Sequence, residues 1–330
     1  MLFLAVLQIL HQPPPSDFTK RAHTYSIVAY DSVTGDLGIA VQSKFPNVGG
    51  LVPWAKAGVG AVATQSLSNT DYGEKGLELI ARGATAPEAM RIIMRSDTRP
   101  SQRQVGMVDA RGNSASWTGD STFDWAGGRT GGRPDGRTGG KGQLIEGRYY
   151  AAQANIMVSD ATVRNMAETF ERTRGSLADR LLAALVAGQA GGGDKRGMQS
   201  AALLVVRAGA GYLGATDRYI DIRVYDAPDP IKELQRLYEL HKLYFFTTDS
   251  ADLVPITPAL QKELEAILLV EPANQREKWL AAPQSAVNGA FLNALANFMY
   301  WENYDVRVRM DGKIDRVALD DIRKNRRSRR

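Results

Sequence analysis

Apolar and polar positions change their spacing along the chain, and each change marks an element. In residues 24–30 Tyr25, Ile27 and Ala29 alternate with Ser26, Val28 and Tyr30, which predicts a strand with both faces partly covered. A turn rich in Asp, Thr and Gly, DSVTGD, leads to a second strand over 37–43. VGAVATQ (59–65) predicts a third, built of small residues that let another layer approach closely. The spacing then lengthens to that of helices. YGEKGLELIARG ends on Gly83, and TAPEAMRIIMRSD has Thr85 as N-cap and Pro87 in its first turn. Strands return in RQVGMVDA, SASWTG and YYAAQANIMV, the last leading to Ser159 as cap of a helix through Arg172. A helix over 176–188, the strands SAALLVVR and YIDIRVY, and a helix over 230–243 complete the series.

Runs of strands separated by pairs of helices predict antiparallel sheets covered by helices. Two such sheets face to face, each with helices outside, would use every element. That is an α+β fold in the form of a four-layer αββα sandwich, although a two-layer α+β fold also satisfies the pattern. Between strands lies GGRTGGRPDGRTGGKG (127–142), with eight glycines and a repeated GRTGG, which predicts a mobile loop without core. Neither this segment nor AGQAGGGDKRG has the strand-then-helix setting that a phosphate or dinucleotide loop requires. After residue 246 the character changes. TTDSADLVPITP reads as a linker, and helical segments follow to the end, so 24–246 and 247–330 are the expected domains.

Composition narrows the chemistry. The chain has no cysteine, which removes disulfides, thiolate metal sites and cysteine nucleophiles. Its three histidines, His11, His23 and His241, are too few and too scattered for a Ser-His-Asp triad or a histidine metal site, so no metal and no cofactor is expected. The net charge is +5, but the last eight residues, RKNRRSRR, carry six positive charges, so the rest sums to −1 and offers no basic face for nucleic acid. Residues 1–23 contain an apolar run, Leu2 to Leu10, too short to span a bilayer and suited to a degenerate export signal. A periplasmic or extracellular location is therefore the expectation, with the cytoplasm as the alternative. Assembly into homo-oligomers stays open.

Several stretches resemble DUF1028, a bacterial and archaeal family of unknown function within the Ntn-hydrolase (N-terminal nucleophile) superfamily. They are TYSIVAYDSVTGDLGIAVQSKF, AGVGAVATQSLSNTDYGEKGLELI, RQVGMVDARGNSASWTG, GGGDKRGMQSAALLVV and DRYIDIRVYDAPDPIKEL, in order over about 24–243. NALANFMYWENYDVR and DGKIDRVALDDIR, within 284–324, resemble a module linked to peptidoglycan binding that some members carry. Two features depart from the family: the long Gly/Arg insertion at 127–148, and Gln153-Ala154-Asn155 where Gln-Gly-Asn is usual.

The resemblance implies the αββα sandwich and a hydrolase of an amide or peptide-like bond. It implies that cleavage before Thr24 exposes a threonine whose own α-amine, titrating near pH ~8, acts as base. Ser26, two residues on, is the alternative nucleophile. Lys44 and Lys56, at the edges of the second and third strands, are candidates to stabilise negative charge, Lys44 being preferred. Gln65, Ser66 and Asn155 are candidate oxyanion donors. Asp194, Arg196, Gln199 and Ser200 stand before an apolar strand, either as structural pairs or as binders of a carboxylate-bearing substrate; Asp217 and Arg218 read as structural. The competing reading is a non-catalytic protein that binds envelope or peptidoglycan and keeps the sandwich as scaffold.

Overall fold

The computed structural model describes residues 24–132, 137–270 and 278–328, so the expected leader over 1–23 lies outside it. The chain divides into two compact units, Met1–Arg236 and Leu237–Arg330. The division falls ten residues before the boundary expected from composition, inside a helix.

The first unit is α+β, and its strands are joined into one curled, half-barrel sheet of eleven strands. They are β1 (Thr24–Tyr30), β2 (Leu37–Ser43), β3 (Pro53–Lys56), β4 (Gly60–Ser66), β5 (Arg103–Asp109), β6 (Asn113–Thr118), β7 (Gly127–Gly131), β8 (Arg137–Gly139), β9 (Gln143–Asn155), β10 (Ser200–Val206) and β11 (Arg218–Val224). Along the sheet the order is β11-β10-β2-β1-β9-β6-β5-β4-β3, with β7 between β8 and β9, and every pairing is antiparallel. β9 serves both halves. Its residues 143–148 pair with β6, and 150–155 pair with β1 on one edge. β7 occupies the opposite edge, opposite 148 and 151–154. Tyr149 stands between the two halves with a positive φ of 69°.

The curl brings β1 and β2 over β4 and β5. Val28, Leu37, Ile39, Val41, Ala61, Ala63, Val108, Ala151 and Leu204 fill the space between them. Outside β4–β6 lie α1 (Asp71–Ala81) and α2 (Ala86–Ser96), which bury Tyr72, Ile80, Met90 and Ile93 against Val62, Val105 and Met107. Thr85 caps α2 as expected, in a capping box with Glu88. α3 (Ala161–Arg172) and α4 (Leu177–Ala190) pack together, α3 on β7 and β9, α4 on β1 and β2. Ser176 and Asp179 form the capping box of α4.

The Gly/Arg segment is not a coreless loop. It builds β7 and β8, and Gly127, Gly128, Thr130 and Gly131 are buried. Glycine is required because neighbours crowd the strand. A Cβ on Gly128 would sit 2.4 Å from Ser116 Oγ, and one on Gly131 2.4 Å from a ring carbon of Tyr150. The central residues 133–136 lie outside the described residues.

The second unit contains β12 (Leu253–Pro255) paired with β13 (Lys313–Asp315), and α6 (Pro258–Leu268), α7 (Gly289–Trp301) and α8 (Arg316–Ser328). Leu260, Leu264, Leu268, Phe291, Leu295, Ile314 and Ile322 form its core, joined by Leu243 from the end of α5 (Pro230–Phe245). Within this core Arg307 pairs with the fully buried Asp315 at 2.7 Å and donates to the carbonyls of Lys242 and Leu243, each at 2.7 Å. Part of the segment REKWLAAP lies outside the described residues, and the rest is not helical. Among the described residues no helix is long and apolar enough to cross a membrane.

Candidate functional site

Strand alternation puts Thr24, Ser26 and Val28 on the inner face of β1, facing Ser43 and Val41 of β2 in the ladder. The same face carries Gln65 and Ala63 on β4, Gln104, Gly106 and Val108 on β5, and Asn155, Gln153 and Ala151 on β9. Each row is apolar in the middle of the half-barrel and polar at one end. The polar ends meet, with Thr24 directly between Ser43 and Asn155, and Gln65 opposite Gln104.

The cluster is buried; Thr24 is 3% exposed, and Ser26, Gln104, Gln153 and Asn155 not at all. Thr24 Oγ1 lies 3.0 Å from Ser43 Oγ. The Thr24 carbonyl accepts from Gln65 Nε2 at 3.0 Å and from Asn155 Nδ2 at 3.3 Å. Those amides also donate to Gln104 Oε1, at 2.8 and 2.9 Å, while Gln104 Nε2 donates to Thr118 Oγ1 at 2.9 Å and to Ala154 O at 2.8 Å. Ser26 Oγ donates to Gln65 Oε1 and accepts from Gln153 Nε2, both at 2.6 Å. Among the described residues, the buried acceptors Asn155 Oδ1 and Gln153 Oε1 have no partner. Every inner-face group here is neutral, as burial without a counter-charge demands.

Ser66 and Ile156, the residues following Gln65 and Asn155, both take left-handed backbone, with φ of 69° and 60°. Such a conformation costs a non-glycine residue about 1–3 kcal/mol and concentrates where a site over-determines the chain. Here it turns both strands away directly after their amide side chains. Ser66 is half-buried and makes no side-chain hydrogen bond with the cluster.

Thr24, Ser26, Gln65 and Asn155 are thus brought together. Lys44 follows Ser43 but its Nζ donates to Met198 O at 3.2 Å, and its backbone N–H donates to Asp194 Oδ2 at 3.3 Å. Asp194 is buried and ion-paired with Arg196, and also accepts from the Arg196 N–H at 2.8 Å. Ser200 Oγ bonds to Phe45 O and accepts from Val48 N, and the Gln199 N–H donates to Ser43 O at 3.1 Å. The 194–200 turn therefore buttresses the end of β2 beside the cluster. Lys56 is exposed at the β3–β4 hairpin, the end of β4 opposite Gln65, and is not part of the site. Asp217 and Arg218 are structural: Asp217 accepts from the Gly209 N–H, and Arg218 pairs with Asp221. Behind Thr24 on the outer face, burial pushes the Tyr25 phenol well above its ordinary value, and Asp194 and Asp229 add to the effect.

Ser43, Gln104, Gln153 and Thr118 belong to the cluster and escaped the sequence reading. Their signal is a polar residue at the strand end in phase with inner-face apolar positions. Ala154 lies on the Tyr25 face, opposite Tyr25 and Gly127, so its methyl group points away from Gln153 and Asn155. Among the described residues, no group of three or more His, Cys, Asp or Glu could hold a metal ion.

Residues 24–234 match the model of a family described as a family of unknown function, DUF1028. Among solved structures, the crystal structure of a Silicibacter pomeroyi protein matched to that same family model is 27% identical, with a TM-score of 0.57. The alignment covers 70% of this chain and 89% of that one. No curated protein matches the chain.

Proposed function

Taking as premise that the chain belongs to the DUF1028 family, we propose that it is an N-terminal-nucleophile amidohydrolase acting on an amide or peptide-like substrate. The observation that carries this is Thr24 itself. It is the first residue of β1, its hydroxyl lies 3.0 Å from that of Ser43, and its carbonyl is held by two amide donors. After cleavage before Thr24, the freed α-amine would find Asn155 Oδ1, a buried acceptor with no partner among the described residues, on the residue directly opposite. The amine takes the Oγ1 proton as Oγ1 bonds to the substrate carbonyl carbon. It returns the proton to the leaving nitrogen as the C–N bond breaks, and water then hydrolyses the ester. Ser26 suits the role of nucleophile poorly, since its hydroxyl proton is committed to an amide oxygen and no base adjoins it.

In this reading the two halves of the curled sheet are the inner layers of a four-layer αββα arrangement. The apolar fill between β1–β2 and β4–β5 and the helix pairs outside support it. The second unit is read as an envelope or peptidoglycan anchor. Its support is the resemblance of 284–324 and the exposed aromatic rings of Tyr300 and Trp301. An envelope location follows from that reading.

The test is N-terminal sequencing of protein from its native host, then turnover of an amide library by mature wild type, Thr24→Ala and Ser26→Ala. Mature protein should begin at Thr24, and Thr24→Ala should be inert. A chain that retains residues 1–23 and still turns over amides would refute the mechanism, as would full activity in Thr24→Ala.

A further inference from the structure

On the outer side of β6, away from the Thr24 cluster, lies a pocket of about 530 Å³. That is within the roughly 300–1,000 Å³ range of small-molecule sites. Its apolar lining is Met94 of α2, Pro100, Trp117 of β6 and Leu144 of β9. Met94, Trp117 and Leu144 rest on the core under α1 and α2, so the lining is backed by fixed groups. The indole N–H of Trp117 is spent on Pro100 O at 3.0 Å, so what this ring shows a ligand is apolar.

Two charged groups complete the pocket, Arg95 and Asp120, both exposed. Among the described residues neither makes a side-chain hydrogen bond or ion pair, and they do not pair with each other. The other arginine at the rim, Arg91, is already paired with Glu146. The free charges are therefore one guanidinium and one carboxylate, which sum to zero, set around an apolar wall. A simple anion would meet Asp120, and a simple cation would meet Arg95; a ligand carrying both signs and an apolar body meets neither problem.

We propose that this pocket binds an apolar α-amino acid as its zwitterion. Arg95 takes the α-carboxylate, through the fork that suits carboxylates. Asp120 takes the α-ammonium, and Trp117, Met94, Leu144 and Pro100 take the side chain. The site is separate from the Thr24 cluster: Trp117 and Thr118 are consecutive on β6 and face opposite sides of the sheet.

Calorimetric titration of the full chain at pH 7 with L-phenylalanine, 3-phenylpropanoate and phenethylamine tests the assignment. L-phenylalanine should bind about tenfold more tightly than either analogue, each of which lacks one charged group. Arg95→Gln should reduce L-phenylalanine to the level of phenethylamine, and Asp120→Asn to that of 3-phenylpropanoate. Both residues are exposed, so the variants keep the fold, which circular dichroism checks. Thr24→Ala should bind as wild type. Three outcomes would overturn the proposal: equal affinity for all three compounds, unchanged L-phenylalanine affinity in Arg95→Gln, or no heat with any of them. Loss of binding in Thr24→Ala would place the amino acid at the Thr24 cluster and overturn it equally.

Discussion

Ser26→Ala probes whether the amide cluster is a built unit. The hydroxyl bridges two amides, donating to Gln65 Oε1 and accepting from Gln153 Nε2, both at 2.6 Å. Without it Gln65 keeps its Nε2 bonds, but its oxygen loses the Ser26 donor. Gln153 fares worse, because its Oε1 already lacks a partner and its Nε2 would lose Ser26. It cannot escape by swinging toward β5, since its amide already sits against Gly106, within 2.2 Å of where a Cβ would be. Each buried polar group stripped of its partner costs about 1–3 kcal/mol, so the pair is worth roughly 2–4 kcal/mol once the removed hydroxyl's own desolvation is allowed for. Hydrogen exchange by mass spectrometry on peptides covering β1 and β9 reads this directly. Amides that exchange through unfolding of the first unit should speed up by about 30- to 1,000-fold. An acceleration under twofold would refute the reasoning and mean that the two amides re-pair without Ser26.

Replacing 127–142 by a short Gly-Ser connector should lower the melting temperature by several degrees, because it deletes a strand paired to β9 and covered by α3; an unchanged transition would show that β7 contributes nothing. Arg307→Ala should destabilise the second unit by about 3–5 kcal/mol, since it strands a buried carboxylate. Differential scanning calorimetry of the full chain checks this, and a second unit that melts as in wild type would contradict it. At Asp97 burial pushes the carboxyl up, but hydrogen bonds from Arg103, the Arg99 N–H and Asn69 outweigh it and hold it down to about 2, against an ordinary 3.8. The folded value is the lower, so its stabilisation is full above the ordinary value and fades as pH falls toward 2. The gap in melting temperature between wild type and Asp97→Asn should therefore narrow between pH 4 and pH 2, and a constant gap would refute the assignment.

β1, β2, β4, β5 and β10 were legible as short runs rich in apolar and small residues, the form a strand buried on both faces takes. β7 was not legible. Glycines carry no pattern, and the reason for them, the close approach of Ser116 and Tyr150, comes from strands distant in sequence. The site was half legible. Thr24 came from the family resemblance and Gln65 and Asn155 from their places at strand ends, but Ser43, Gln104 and Gln153 matter through register, which a single strand does not reveal. Lys56 misled for a related reason: it is near Gln65 in sequence, yet the hairpin sets it at the far end of β4. The compact units divide before the composition break because Leu243 completes the second core from within a helix whose composition is continuous.

β9 has a consequence for the order of events in the cell. Thr24 emerges early during synthesis, but the rest of its cluster arrives at positions 43, 65, 104, 153 and 155, and the last two sit on the strand that joins both halves of the sheet. No nascent chain shorter than about half the protein can contain the complete cluster, because the pairing of Thr24 with Asn155 joins residues far apart in sequence. On the proposed mechanism, a bond cut before Thr24 by the protein's own groups would be a post-folding event, timed by β9. A host protease would be under no such clock.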